Sequence, residues 1–265
     1  MNRFFNNLFS SLGELTLRYL LFAGVAWILG YWIFKSRWFH RKIISKYPDA
    51  AQVKREMRDS AVSMVVFATV SAFTILAARQ GWTQMYRKLD SHGWTWFGVS
   101  LGLAILLHDT WFYWSHRAMH HPRLFRWFHQ THHLSKNPTP WASYAFSPLE
   151  AFIQASIFPL VMFVIPMHLY AFGLFMLWQI LYNVAGHTGY EYHPRWLMDS
   201  WLGKVLNTPT NHIMHHETLR GNYGLYFNVW DRLMGTNHAE YENRFREVTT
   251  RSKEKFQAQT TSRNP

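Results

Sequence analysis

Apolar and polar positions along this chain fall into blocks far longer than a strand. Residues 15–34 form a 20-residue apolar run with Arg18 as its one charge. At 1.5 Å per helical residue that run is long enough to cross a hydrocarbon layer of about 30 Å. Residues 35–59 follow with eight Lys or Arg (Lys35, Arg37, Arg41, Lys42, Lys46, Lys54, Arg55, Arg58), a density expected of a cytoplasmic loop. Residues 60–78 carry no charge and predict a second span. The next loop, 79–92, has three basic residues, and Trp82, Trp94 and Trp96 around it fit an interfacial aromatic belt.

Residues 93–115 then return towards the cytoplasmic side as a third span that carries His108 and Asp109. Ionisable groups at that depth point to function. Residues 151–186 contain no Asp, Glu, Lys or Arg and are interrupted by Pro159 and Pro166. One helix of that length would overshoot the bilayer, so a hairpin turning near Pro166 is expected. The pattern predicts an all-α integral membrane bundle of about four spans. Its parts are N-terminal transmembrane helices at 1–115, a histidine-rich region at 116–238 that includes the hairpin, and a polar, solvent-exposed and partly disordered tail at 239–265.

Composition agrees with a membrane protein. Aromatics are 18% of residues and charged residues only 16%, against a usual quarter or so. The mean hydropathy of -0.17 counts Trp, Tyr and the 16 His as polar and so masks the local runs. A net charge of +12 is distributed at the flanks of apolar segments, which fits anionic lipid headgroups and not nucleic acid. The absence of cysteine excludes disulfides, iron–sulfur clusters and thiol nucleophiles. No small-residue cleavage site follows the first apolar run, so it is not expected to be a removable signal.

The candidate chemistry lies in histidine. His116 and His120 are spaced one helical turn apart, and His129, His132 and His133 follow as H-x-x-H-H. Five ring nitrogens can point at one small volume. A second H-x-x-H-H at His212, His215 and His216 can close the site, and His187 leaves the hairpin on the same side. The spacing predicts a two-metal centre at the cytoplasmic surface, in a helical cap. Imidazole suits zinc, copper, iron and nickel, so spacing leaves the metal open. Asp109, Glu191 and Asp231 are candidates to accept the second ring N–H of these imidazoles. Glu191, one turn from His187, is also a candidate ligand. His108 lies eight residues before His116, about 12 Å along a helix, and is expected beside the site or in a substrate pocket.

These motifs resemble the sterol desaturase and fatty acid hydroxylase superfamily of membrane-bound di-iron enzymes. The resemblance is carried by W-S-H-R-A-M-H at 114–120, H-Q-T-H-H at 129–133, N-V-A-G-H at 183–187, H-I-M-H-H at 212–216, and N-Y-G-x-x-F-x-x-W-D-R-x-x-G-T at 222–236. It implies two iron ions, O2 as co-substrate, a membrane lipid such as a sterol or acyl chain, and hydroxylation or desaturation. The ligands it implies are His116, His120, His129, His132, His133, His187, His212, His215 and His216. Some relatives carry a histidine where this chain has Ser147 or Asn211. With no dinucleotide-binding motif and no cysteine, electrons are expected from a separate donor, a ferredoxin or a cytochrome b5-like protein with its reductase. A bacterial inner membrane with the site facing the cytoplasm is the expected setting, or the endoplasmic reticulum if the source is eukaryotic. The rival readings are a membrane zinc hydrolase and a non-enzymatic metal-binding membrane protein. A catalytic zinc uses three protein ligands, and nine histidines are too many for it. Oligomeric state is left open by the sequence.

Overall fold

The computed structural model describes residues 2–252, so the end of the expected C-terminal tail, 253–265, lies outside the described residues. Helix α1 (Asn2–Trp27) runs on into a π-turn at Ile28–Ile33. Leu8, Leu12, Leu15, Tyr19 and Ala23 recur every three or four residues and pack on Met64, Phe67 and Ala68 of α2 (Ala50–Arg79). Both helices start earlier than the apolar runs that announced them. In α1 the polar residues between Asn6 and Ser11 interrupt the apolar block without breaking its period. In α2 the Asp49 carboxylate accepts the Gln52 N–H at 2.7 Å and caps the helix well before Ser60.

Helix α3 (Gly93–Met119) descends to the first histidines, followed by the short α4 (Pro122–Phe128) and α5 (Gln130–His133). The hairpin is present. Its first arm is broken into α6 (Pro148–Ala155) and α7 (Ile157–Val164), and its second arm is α8 (Leu169–His187). The break at Ser156 precedes Pro159, which has no N–H to offer the Ala155 carbonyl. The turn contains Pro166, whose carbonyl accepts the Trp96 indole N–H at 2.7 Å. Strand β1 (Met85–Tyr86) pairs in parallel with β2 (Met167–His168) and ties the α2–α3 loop to this turn. All these connections lie at one end of the bundle, and the histidines lie at the other.

Among the described residues, three helical stretches are long and apolar enough to cross a membrane: Arg3–Ile33, Ala50–Arg79 and Leu169–His187. The expected third span, α3, is not among them. It has the length, but its Trp, Tyr, His and Asp residues make it less apolar. Large apolar side chains such as Leu17, Trp32 and Phe73 remain exposed on the outer face, as a lipid-facing surface requires.

At the histidine end, α9 (Trp201–Val205), α10 (Pro209–Thr218), α11 (Val229–Leu233) and α12 (Tyr241–Thr250) complete the fold. Helix α12 corrects the expectation of an exposed, disordered tail from Ala239. Tyr241 and Phe245 are fully buried and pack with Leu197, Met198 and Met214, and Val248 packs with Ile43 and Ile213. The spacing of those three apolar positions is helical, and the charged residues between them face outwards.

The basic loop after α1 packs against the same end. Lys42 bridges Tyr190, and the Glu191 N–H donates to the Arg41 carbonyl at 2.9 Å. Lys42 is fully buried, with its Nζ 3.2 Å from the Tyr31 hydroxyl and over the rings of Tyr31 and Tyr190 at 5.0 and 4.9 Å. Burial pushes its ammonium down to about 7 from 10.5, with Glu56 offsetting part of the shift. The unfolded chain therefore binds the extra proton between those two values, and stability should rise with pH across that window. Thermal unfolding of the detergent-solubilised chain from pH 7 to 10 should show this rise, and Lys42→Met should flatten it. An unchanged pH slope in the variant would contradict the assignment.

Candidate metal centre

The first histidines are placed by α3, where His108, Phe112 and His116 follow at intervals of four and His120 caps the C-terminus. His121 then caps α4: its Nδ1 accepts the Arg123 N–H at 3.3 Å, with Pro122 at the first helical position. That turns the chain back and brings His129 to the start of α5. His187 is the last residue of α8, and α10, which opens on Pro209, carries the third box with every residue from Pro209 to His216 buried.

The nine histidines converge as two groups. His116, His120, His129, His133 and His215 form one, and His132, His187, His212 and His216 form the other. Within each group the ring nitrogens lie within 4.8 Å of one another. The division follows helical geometry. In each box the residues four apart, His116 with His120, His129 with His133, and His212 with His216, share a group, because four residues return nearly to the same face. In both H-x-x-H-H boxes the third-step residue, His132 or His215, points across to the other group.

Hydrogen bonds to oxygen fix five of the rings. His116 Nδ1 donates to the Tyr223 carbonyl at 2.8 Å, His187 to Asn183 at 2.7 Å, His215 to Gly221 at 2.7 Å, and His132 to Ala145 at 3.3 Å. His129 Nδ1 meets Glu150 Oε1 at 2.7 Å. A carbonyl can only accept, so those rings carry hydrogen on Nδ1 and present a bare lone pair at Nε2. His187 Nε2 and His132 Nε2 then face each other at 3.4 Å as two lone pairs, a contact that calls for a cation between them. His116 Nε2 and His129 Nε2 are buried without a partner among the described residues. Desolvation, reinforced by neighbouring rings, holds His129, His132, His133, His212, His215 and His216 well below the ordinary imidazole range. Burial also takes His120 down to about 4. Neutral imidazole is the ligating form. The donor set therefore fits two metal ions.

The acids expected to orient imidazoles act one step further out. Asp109 Oδ1 accepts the N–H groups of Tyr226 and Phe227 at 2.8 and 3.1 Å. Asp231 accepts those of Tyr223 and Gly224 at 2.9 and 2.7 Å. Together they clamp the loop whose carbonyls at Gly221 and Tyr223 hold His215 and His116. Glu191 does not aim at the site. Its Oε2 takes the Thr210 N–H and hydroxyl at the start of α10, and its Oε1 takes the backbone N–H and Nδ1 of His193. His108 stands outside both groups, with Nδ1 2.9 Å from the Tyr226 hydroxyl, and lines a cavity beside the site. Ser147 caps α6 and donates to the Phe128 carbonyl at 2.6 Å, next to His129. Asn211 is fully buried, and its carbonyl accepts from Asn222.

Glu150 escaped the sequence reading. Its signal is a single carboxylate placed directly before the uncharged stretch and two residues after the helix-starting Pro148.

The fatty acid hydroxylase family model matches residues 101–236, just over half the chain and the part that holds all nine histidines. The chain belongs to this family. Among curated relatives, a Delta(7)-sterol 5(6)-desaturase of Gibberella zeae is 31% identical over 211 residues, covering 79% of this chain and 62% of that protein. A second, of Aspergillus fumigatus, is 29% identical over 250 residues, covering 83% and 72%. The lathosterol oxidase of Mus musculus is 32% identical over 190 residues, covering 70% and 61%. The chain thus spans about three fifths of the length of the first and third of these family members. All three come from eukaryotes and lend no support to a bacterial inner membrane. No solved structure matches the chain.

Replacing Glu150 with Ala removes the acceptor for His129 and should weaken metal binding by about 10- to 100-fold. Titration of the purified variant with metal, read by elemental analysis after dialysis, checks this. Glu150→Gln, which keeps an acceptor oxygen, should lose less, and equal metal retention in Glu150→Ala and the parent chain would remove Glu150 from the centre.

Proposed function

We propose that this chain is a membrane-bound oxidoreductase that uses O2 and external electrons to hydroxylate or desaturate a lipid, with two iron ions in the histidine centre. The observation that carries the reading is the division of nine histidines, eight buried and His120 half-buried, into groups of five and four around converging nitrogens. On this reading His116, His120, His129, His133 and His215 hold one ion, and His132, His187, His212 and His216 hold the other. The sterol desaturase and lathosterol oxidase names of the relatives support iron over zinc, and a sterol as the first substrate class to test.

Two bound irons would supply the reduction of O2 and the removal of hydrogen from an unactivated C–H bond. The chain supplies the rest. Carbonyls and Glu150 hold the rings in the ligating tautomer. Phe112 and Phe146, with rings 5.1 Å from His116 and 5.0 Å from His132, present an apolar wall that excludes water and receives a hydrocarbon. The catalytic region is 116–238. The basic loop at the histidine end supports a cytoplasm-facing site, and its charge suits an acidic electron carrier, a ferredoxin or a cytochrome b5-like protein with its reductase.

Purified protein should contain about two irons per chain and consume O2 only with a reductant. Lipids of cells expressing it should gain a species shifted by +16 for hydroxylation or −2 for desaturation. Bound zinc with no O2 consumption would overturn the proposal. His132→Ala should lose iron and turnover while remaining membrane-inserted, and retained turnover would refute its role as a ligand.

A further inference from the structure

Arg18 is a charged residue within the long apolar helix α1, and its side chain is only 13% exposed. An ionisable group at that depth needs a reason. It lies where two spaces meet. An apolar cleft of about 530 Å³ opens on the outer face of the bundle, with Arg18 and Glu14 on one side and Phe158 and Met176 on the other. A narrow inner cavity of about 20 Å³ shares Arg18, Phe67, Phe158 and Met176 with that cleft and is bordered by Phe112, Phe146 and Asn183 beneath the histidines. The shared walls place the junction of the two spaces between the lipid-facing surface and Phe112 and Phe146, whose rings border one histidine group each.

Two hydrogen-bond donors lining this junction have no partner among the described residues, Arg18 Nε and Gln154 Nε2. Gln154 sits one turn along α6 from Glu150, on the face that supports His129. The Glu14 carboxylate lies 3.3 Å from Arg18 Nη1 and balances its charge. We propose that Arg18 and Gln154 form the anchor for a neutral hydroxyl on the lipid substrate, and so select which carbon is presented to the histidine centre. A pure hydrocarbon would leave both donors unsatisfied. A carboxylate would put a second negative charge beside Glu14 in an apolar setting. A hydroxyl satisfies the donors without adding charge. Fixing one end of a rigid lipid fixes the position of the carbon at the other.

The anchor rests on the lipid-oxidising reading, but its test is binding. The full chain in detergent micelles is titrated with cholesterol and with cholestane, the same ring system without the hydroxyl, and followed by tryptophan quenching. Cholesterol should bind roughly tenfold tighter than cholestane, about the value of one buried hydrogen bond. Arg18→Met with Gln154→Leu should abolish that preference. Arg18→Lys, which retains a donor, should keep most of it and guards against a folding defect. Equal binding of the two lipids by the parent chain, a preference that survives the double variant, or tighter Arg18-dependent binding of palmitate would each overturn the anchor. A hydroxyl preference in a protein that oxidises no lipid would leave the anchor standing and defeat the oxidase reading. Lipid oxidation without any hydroxyl preference would do the reverse.

Discussion

Everything at the histidine end depends on backbone carbonyls claiming the Nδ1 hydrogens of His116, His132, His187 and His215. A ring that has given its hydrogen to a carbonyl has one nitrogen left, and that nitrogen is a bare acceptor. The bundle is arranged so that these acceptors face one another in a buried space. Folding such a centre without a cation opposes lone pairs, and burial makes protonation a costly remedy. A metal held there would therefore couple its binding to the final packing of this region. The loop at 221–228 is central to the arrangement, because Asp109 from α3 and Asp231 from α11 hold its N–H groups while its carbonyls hold two of the rings.

The helical bundle serves this end by placement. Parallel α3 and α8 bring stripes at four-residue intervals, His108, Phe112, His116 on one and Gln179, Asn183, His187 on the other, to a common level. The α6 arm adds Glu150 and Gln154 from the side. The turn that joins α7 to α8 is fastened at the far end by β1, β2 and Trp96, so the two arms of the hairpin keep their relative depth. An apolar outer face and an interior lined with imidazoles are two sides of the same helices.

Much of this was legible because helix periodicity and hydropathy are local signals. The apolar blocks marked α1, α2 and the hairpin, and the spacing of the boxes marked all nine clustered histidines. Helix ends were less visible, since hydropathy reports where a helix is apolar while caps such as Asp49 decide where it starts. The supports of the imidazoles were misread for a different reason. Sequence reasoning looks for carboxylates, whereas most of the acceptors are main-chain oxygens, which every residue has and no motif marks. Among the described residues, Glu150 is the one carboxylate that does bond a clustered ring, and it lies outside every box. The burial of Tyr241 and Phe245 depends on contacts with Met198 and Met214, which are distant in the chain.

The crossing of His132 and His215 between the groups has a mechanical consequence. Helix α10 carries His212 and His216 along one line and His215 along another, roughly a quarter of a turn apart. A roll of α10 about its axis that pressed His215 into its own cluster would draw His212 and His216 away from theirs, and α5 behaves in the same way through His132. The two halves of the centre are thus geared together, so the separation between them is set by the pitch of an α-helix rather than by the softness of the side chains around it.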